Sequence, residues 1–186
     1  EIWTHVEHIT RELATKAGSL GNRVEGIGIA NQGETVLAWN RQTSEPVSRA
    51  IVWQDTRIQE WIDRYSADEA LCRYVSQTTG LHLDSYFSAS KMRWILDHVP
   101  AAHELAAKDR LCFGTLDAWL IWKFTSGRTF VTDASTAART QLMNLAGLKY
   151  DPKLLQLFEI PADSLPTIIA CDCHIEVEGF GPQLDG

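Results

Sequence analysis

The stretch "VEGIGIANQGETVLAWN", residues 24–40, decides how the chain is read. "VEGIGIA", 24–30, is short and apolar enough for a buried strand, and "TVLAWN", 35–40, reads as a second. Between the apolar runs stand the polar side chains of Asn31, Gln32, Glu34 and Thr35, with Gly33 in their midst. A tight hairpin needs only two turn residues. The insertion therefore reads as a site as much as a turn, since ligands of open α/β sheets bind off the carboxyl ends of strands.

Working outward, Ile2, Val6, Ile9, Leu13 and Ala17 recur at steps of three and four and predict an amphipathic helix that ends near 18–21. "VSRAIVW", 47–53, predicts a third strand, and the helix-then-sheet order predicts an α/β architecture. Helices are expected over "DTRIQEWIDRYS" with Asp55 as N-cap, and over "ADEALCRYVSQTTG" ending at Gly80. "SASKMRWILDHV" predicts a helix capped by Ser88 that buries Met92, Ile95, Leu96 and Val99 before Pro100. "AAHELAAKD", "TLDAWLIWKFTSG" with Gly127 just past its end, and "DPKLLQLFEI" with Pro152 in its first turn complete the helices. "RTFVTDASTAARTQLMNLAG" predicts two short strands around a polar loop, and "PADSLPTIIA" leads to a last strand.

The composition is that of an ordinary globular protein, with 186 residues, 45% hydrophobic and 22% charged. A net charge of −7 argues against a nucleic-acid partner, which would need a basic face. No apolar run approaches the roughly 20 residues of a membrane span and no signal peptide is visible, so neither a membrane partner nor secretion is expected. Cys72, Cys112, Cys171 and Cys173 are too sparse for a disulfide scaffold and read as reduced thiols of a cytoplasmic protein. "CDCH", 171–174, lacks the second ligand pair of a zinc site, and no metal site is expected. The chain opens at Glu1, inside a helical pattern, and stops without a closing element, which predicts a fragment of a longer protein.

No phosphate-binding Gly-Lys loop, dinucleotide fingerprint or nucleophile elbow is present. What remains is a set of strand-end residues suited to a polyhydroxylated ligand. Glu34 can accept from two hydroxyls, Trp53 can stack on the C–H face of a polyol, and Tyr86 offers a hydroxyl on an apolar body. Taken singly, each has a plainer reading: a turn carboxylate, a core indole and a loop anchor.

"YFSASKMRWILDH", 86–98, resembles the helix signature of the FGGY carbohydrate kinases: aromatic-x-Ser-x-x-Lys-apolar-x-Trp-apolar-x-Asp-His. "GIGIANQGETVLAWN", "AIVWQDTR", "TTGLHLDSYFS", "LCFGTLDAWLIWKFTSG" and "VTDASTAARTQLMN" follow in the order and spacing of glycerol kinases. The resemblance implies an α/β, ribonuclease H-like (actin-like ATPase) domain, a mixed sheet with helices on both sides, its opening strands missing. Residues 1–168 are expected to be a partial N-terminal, substrate-binding domain, and 169–186 an exit segment toward the remainder of the protein. Carried over residue by residue, Glu34, Trp53 and Tyr86 occupy substrate positions, and Gly33 stands where the family's "NQRET" segment has an arginine.

The implied reaction is transfer of the γ-phosphoryl group of ATP, with Mg2+, to a hydroxyl of glycerol or a related polyol or sugar. No catalytic residue is expected within the chain: the general base belongs to a Gly-Asp-Gln-type segment, and a phosphate-placing turn to an Asp-x-Gly-Thr segment, neither of which occurs here. Asp117 and the Thr132–Asp133 pair are expected to shape a helix start and loop packing. The 186 residues alone are expected to show no turnover. The family often dimerises, which extends to the full-length protein as an expectation. Gly33 forfeits a planar fork of donors and leaves a gap that a longer polyol or sugar could fill. Alternatively, it relieves a tight turn while another residue supplies the donor. A reading of another class is a degenerate, non-catalytic kinase-like binding or scaffold module.

Overall fold

In the computed structural model, which describes residues 1–177, the strand β1 (Val36–Asn40) lies between two apolar clusters. Its alternation does the sorting, because successive side chains of a strand point to opposite faces. Val36 and Ala38 join one cluster, while Leu37 and Trp39 join another. β1 pairs antiparallel with β2 (Leu111–Thr115), with Trp39 opposite Cys112, and β2 repeats the division: Leu111 and Phe113 face the first cluster, Cys112 the second. Both strands are buried on both faces, which is why they read as continuous apolar runs. Gly114 is required by this packing. A Cβ there would lie 2.8 Å from Cη2 of Trp39 and 2.9 Å from Cβ of Ala118.

Helices close the clusters. α1 (Ile2–Ser19) is followed, after β1, by α2 (Gln59–Ser66), α3 (Glu69–Thr79), α4 (Ser88–His98) and α5 (Pro100–Ala106). The apolar side of α4, Met92, Ile95 and Leu96, packs into the first cluster with Val36 and Phe113. α6 (Leu116–Phe124) leaves β2 directly and sends Trp119 and Trp122 to the second cluster, where both contact Trp39. Its Leu120 and Phe124 meet Ala14 of α1 in a third cluster. Beyond α6 come β3 (Val131–Asp133), α7 (Ala134–Ala138), β4 (Met143–Asn144), β5 (Lys149–Tyr150), α8 (Pro152–Leu157) and β6 (Thr167–Ile169). β3 pairs parallel with β6 and β4 antiparallel with β5, so both strand senses are present.

Several local expectations are corrected. Residues 24–30 form no strand and are largely exposed, because no neighbouring strand among the described residues takes up their backbone groups. Residues 45–51 meet the other edge of β1 through isolated bridges, Pro46 against Trp39 and Ile51 against Val36, and Val47 N donates to the Ala38 carbonyl at 2.9 Å, without forming a strand. Pro46 has no N–H to extend that ladder. α2 starts at Gln59 rather than at Asp55, whose carboxylate instead accepts from the backbone and side chain of Arg57. Phe87, not Ser88, occupies the N-cap of α4, and Ser88 is its first helical residue. The polar loop expected between the strands near residue 135 is the helical turn α7. In α1, Ile2, Ile9 and Leu13 point outward, and Trp3, Val6 and Ala14 make the packed face. The exit segment expected at 169–186 lies partly outside the described residues.

Candidate functional site

Residues 31–35 turn the chain into β1. Thr35 N donates to the carbonyl of Gln32 at 3.0 Å, and its hydroxyl donates to Gln32 Oε1 at 2.9 Å. Gly33 is not among the residues of positive φ, so the turn itself does not demand a glycine. Packing does. A Cβ at position 33 would stand 3.2 Å from Cγ and 3.4 Å from Cβ of Arg139. The space at the glycine is occupied by the stem of another arginine.

That arginine engages the neighbouring carboxylate: Nε of Arg139 donates to Oε1 of Glu34 at 2.6 Å. Glu34 is 8% exposed, and its backbone carbonyl accepts from Ser88 Oγ at the start of α4. A carboxylate so buried requires a countercharge, and Arg139 provides it from the end of α7. This short helix is held at its start by Asp133, which accepts from Thr136 N at 2.7 Å and from Ser135 Oγ at 2.7 Å. Burial acts upward on the Asp133 carboxyl but is outweighed by hydrogen bonds from Cys171, Thr136 and Ser135, which hold it down at about 2.

The aromatic candidates join the same cluster. The guanidinium carbon of Arg139 lies 5.1 Å from the ring centre of Phe87 and 5.9 Å from that of Tyr86. Tyr86 in turn lies 5.5 Å from Trp53, ring centre to ring centre, and both are half-buried. Glu34, Arg139, Tyr86 and Trp53 thus form a chain of contacts drawn from four separate segments.

The loop bearing Tyr86 is fixed from beneath by Lys91. Its side chain is fully buried, and Nζ donates to the carbonyls of Ser85 (2.6 Å), Tyr86 (2.6 Å) and Phe87 (3.2 Å). Burial pushes this ammonium down to about 8, against the opposing pull of Asp55, Glu34 and Asp84. Asp84 adds a second tie by accepting from Tyr86 N at 2.7 Å.

Asp117 is buried at the start of α6 and is saturated with donors. Its Oδ1 accepts from Asn31 Nδ2 at 3.1 Å and from the Thr115 hydroxyl, and its Oδ2 accepts from Thr132 Oγ1 at 2.6 Å. It ties β2, β3 and the polar turn together, the packing role read from the sequence. A cavity of about 930 Å3 opens alongside; Gly33, Asn31, Asp117 and Arg139 line it, whereas Glu34, Trp53 and Tyr86 do not. It meets the four-residue chain through Arg139 alone, so the contacts, not the cavity, define the site. Cys171 and Cys173 are exposed, and no cluster of three His, Cys, Asp or Glu able to hold a metal occurs among the described residues.

Sequence reasoning passed over Arg139 and Lys91 as functional residues. The available signal for Lys91 was a lysine set between Ala89 and Met92 on a face that is otherwise apolar. For Arg139 it was a carboxylate at 34 left with no cation beside it; the sequence says that a partner is needed but not which of its arginines answers.

Residues 1–176 match the sequence pattern of the "FGGY family of carbohydrate kinases, N-terminal domain". The chain is 44% identical over 182 residues to a glycerol kinase of Paraburkholderia phytofirmans, covering 98% of this chain and 35% of that protein. It is 48% identical over 168 residues to a glycerol kinase of Koribacter versatilis, covering 90% of this chain and 34% of that protein. It therefore spans about a third of the length of these curated relatives. Among solved structures it is similar to the Plasmodium falciparum glycerol kinase crystallised with ADP, with a TM-score of 0.88 at 30% identity, covering 97% of this chain and 36% of the other. The α/β, ribonuclease H-like (actin-like ATPase) fold is thereby the fold of this chain. On its sequence and its structure alike, the chain belongs to the FGGY family of carbohydrate kinases.

Proposed function

We propose that the protein carrying this chain is an ATP-dependent polyol kinase that transfers the γ-phosphoryl group to a hydroxyl of glycerol or a closely related polyol, and that this chain holds the acceptor. The observation that carries the reading is the convergence of Glu34, Arg139, Tyr86 and Trp53. It offers a carboxylate acceptor, a guanidinium donor and an aromatic wall, the three elements a short polyol needs. The identity to curated glycerol kinases supports glycerol over larger sugars.

Phosphoryl transfer is catalysed chiefly by positioning and charge stabilisation. In this account Oε2 of Glu34, which has no hydrogen-bond partner among the described residues, accepts from an acceptor hydroxyl. Trp53 and Tyr86 cover the C–H face and exclude water, and Lys91 keeps Tyr86 in place through the carbonyls of 85–87. Gly33 contributes by admitting the stem of Arg139. ATP supplies the phosphoryl group, and Mg2+ is expected with it. The described residues offer no metal-binding cluster, so no step here is assigned to a metal. A panel of polyols and sugars offered with ATP to the full-length protein tests the reading. Glycerol or another short polyol is expected as the best acceptor. ADP release with none of them refutes it.

A further inference from the structure

We propose that Arg139 is a specificity-determining residue of the acceptor site, binding the hydroxyl next to the one held by Glu34, so that the pair reads a vicinal diol. The proposal rests on the polyol-kinase reading above and deepens it.

An arginine and a carboxylate that serve only each other commonly pair through two parallel hydrogen bonds. Here the pairing is through Nε alone, to Oε1. Both Nη groups of Arg139 and Oε2 of Glu34 have no hydrogen-bond partner among the described residues. Donors and an acceptor are thus left beside one another. That pattern complements two adjacent hydroxyls, one donating to the carboxylate and its neighbour accepting from the guanidinium.

The group is also reachable and braced. Its side chain keeps 39% of its surface exposed, against 10% for Glu34. The rings of Tyr86 and Phe87 border the guanidinium, and Tyr86 continues to Trp53, giving the carbon skeleton of a polyol a wall beside the two polar groups.

Position 33 completes the argument. The stem of Arg139 passes where any side chain at 33 would begin, with contacts of 3.2 Å and 3.4 Å to a Cβ. Glycine at 33 leaves that space to the stem, and the guanidinium beside Glu34 comes from Arg139 at the end of α7.

The test uses the full-length protein with its best polyol acceptor and the variants Arg139→Met, Arg139→Lys and Arg139→Ala with Gly33→Arg. Loss of a charged hydrogen bond to substrate lowers kcat/KM for the polyol by about 10- to 100-fold in Arg139→Met. The loss is carried by KM for the polyol, while KM for ATP stays unchanged. Arg139→Lys keeps the charge without the planar fork and is expected to recover only part of the loss. Combining Gly33→Arg with Arg139→Ala, which removes the Cγ lying 3.2 Å from a Cβ at 33, is expected to restore most of it. Polyol KM unchanged in Arg139→Met or in Arg139→Lys overturns the proposal. So does a loss that Gly33→Arg leaves in place. If the wild-type protein phosphorylates no polyol, the kinase reading itself fails and takes the proposal with it, an outcome visible before any substitution is made.

Discussion

Arg139 Nε donates to Glu34 Oε1 across 2.6 Å, although 105 positions separate the two residues in the chain. The contact ties the end of α7 to the polar turn before β1 and turns a buried carboxylate into half of a donor–acceptor pair. It also gives Gly33 a physical reason: the glycine makes room for the stem of Arg139 rather than for a left-handed turn.

The aromatic wall is separable from this pair. Trp53→Ala removes the ring that lies 5.5 Å from Tyr86. A stacked aromatic face contributes about 1 kcal/mol, so KM for the polyol is expected to rise roughly five- to tenfold with little change in kcat. Steady-state kinetics of the full-length protein check this, and an unchanged polyol KM would take Trp53 out of the site.

Two glycines should respond differently to alanine. At Gly114 the new Cβ meets Trp39 at 2.8 Å, and Trp39 is fully buried with Trp119, Trp122 and Phe130 around it. Overpacking there is expected to cost about 1–3 kcal/mol of stability. At Gly33 the neighbour is a partly exposed arginine that can shift by a few tenths of an ångström. Gly33→Ala should therefore leave the unfolding midpoint nearly unchanged while raising the polyol KM. Equal destabilisation of both variants would contradict the packing account.

Lys91 predicts a pH dependence of opposite sign to that of an ordinary ion pair. Burial lowers its folded pKa to about 8 from 10.5, so between those values the unfolded chain binds the extra proton. Stability then rises with pH across that window, by about 1 kcal/mol per pH unit at most. Urea unfolding of wild type and Lys91→Met at pH 8, 9 and 10 isolates the effect, because other titrating groups cancel in the difference. Wild type should gain on the variant as pH rises, and a flat difference would mean that Lys91 is not buried in its charged form.

The 186 residues alone should form no glycerol phosphate from ATP and glycerol above background. The proposed reading places only the acceptor site in this chain, while the general base is expected in a Gly-Asp-Gln-type segment that its sequence does not contain. Turnover by the purified chain would show that donor and base sites lie nearer than this account places them.

Much of the framework was legible because it is local. A continuous apolar run marked β1, Gly80 with its φ of +71° marked the end of α3, and Pro152 marked the start of α8. What escaped depends on partners distant in sequence. Residues 24–30 have the composition of a strand but find no neighbour to pair with. "LCFGT", 111–115, carries no strand expectation from the sequence, although it is the strand that pairs along the whole of β1. In the site, Glu34, Trp53 and Tyr86 were singled out by residue type at strand and loop ends. Arg139 was not, since only the fold brings position 139 against positions 33 and 34.

The most direct test of the account is transfer of the γ-phosphoryl group from ATP to glycerol by the full-length protein, measured for wild type and for Glu34→Ala. The account predicts glycerol phosphate from the wild type. It also predicts a fall in kcat/KM for glycerol of about 100-fold or more in the variant, because the substrate hydroxyl loses its charged acceptor and Arg139 its partner, with KM for ATP unchanged. Equal rates for the two proteins, or no glycerol phosphate from the wild type, would contradict it.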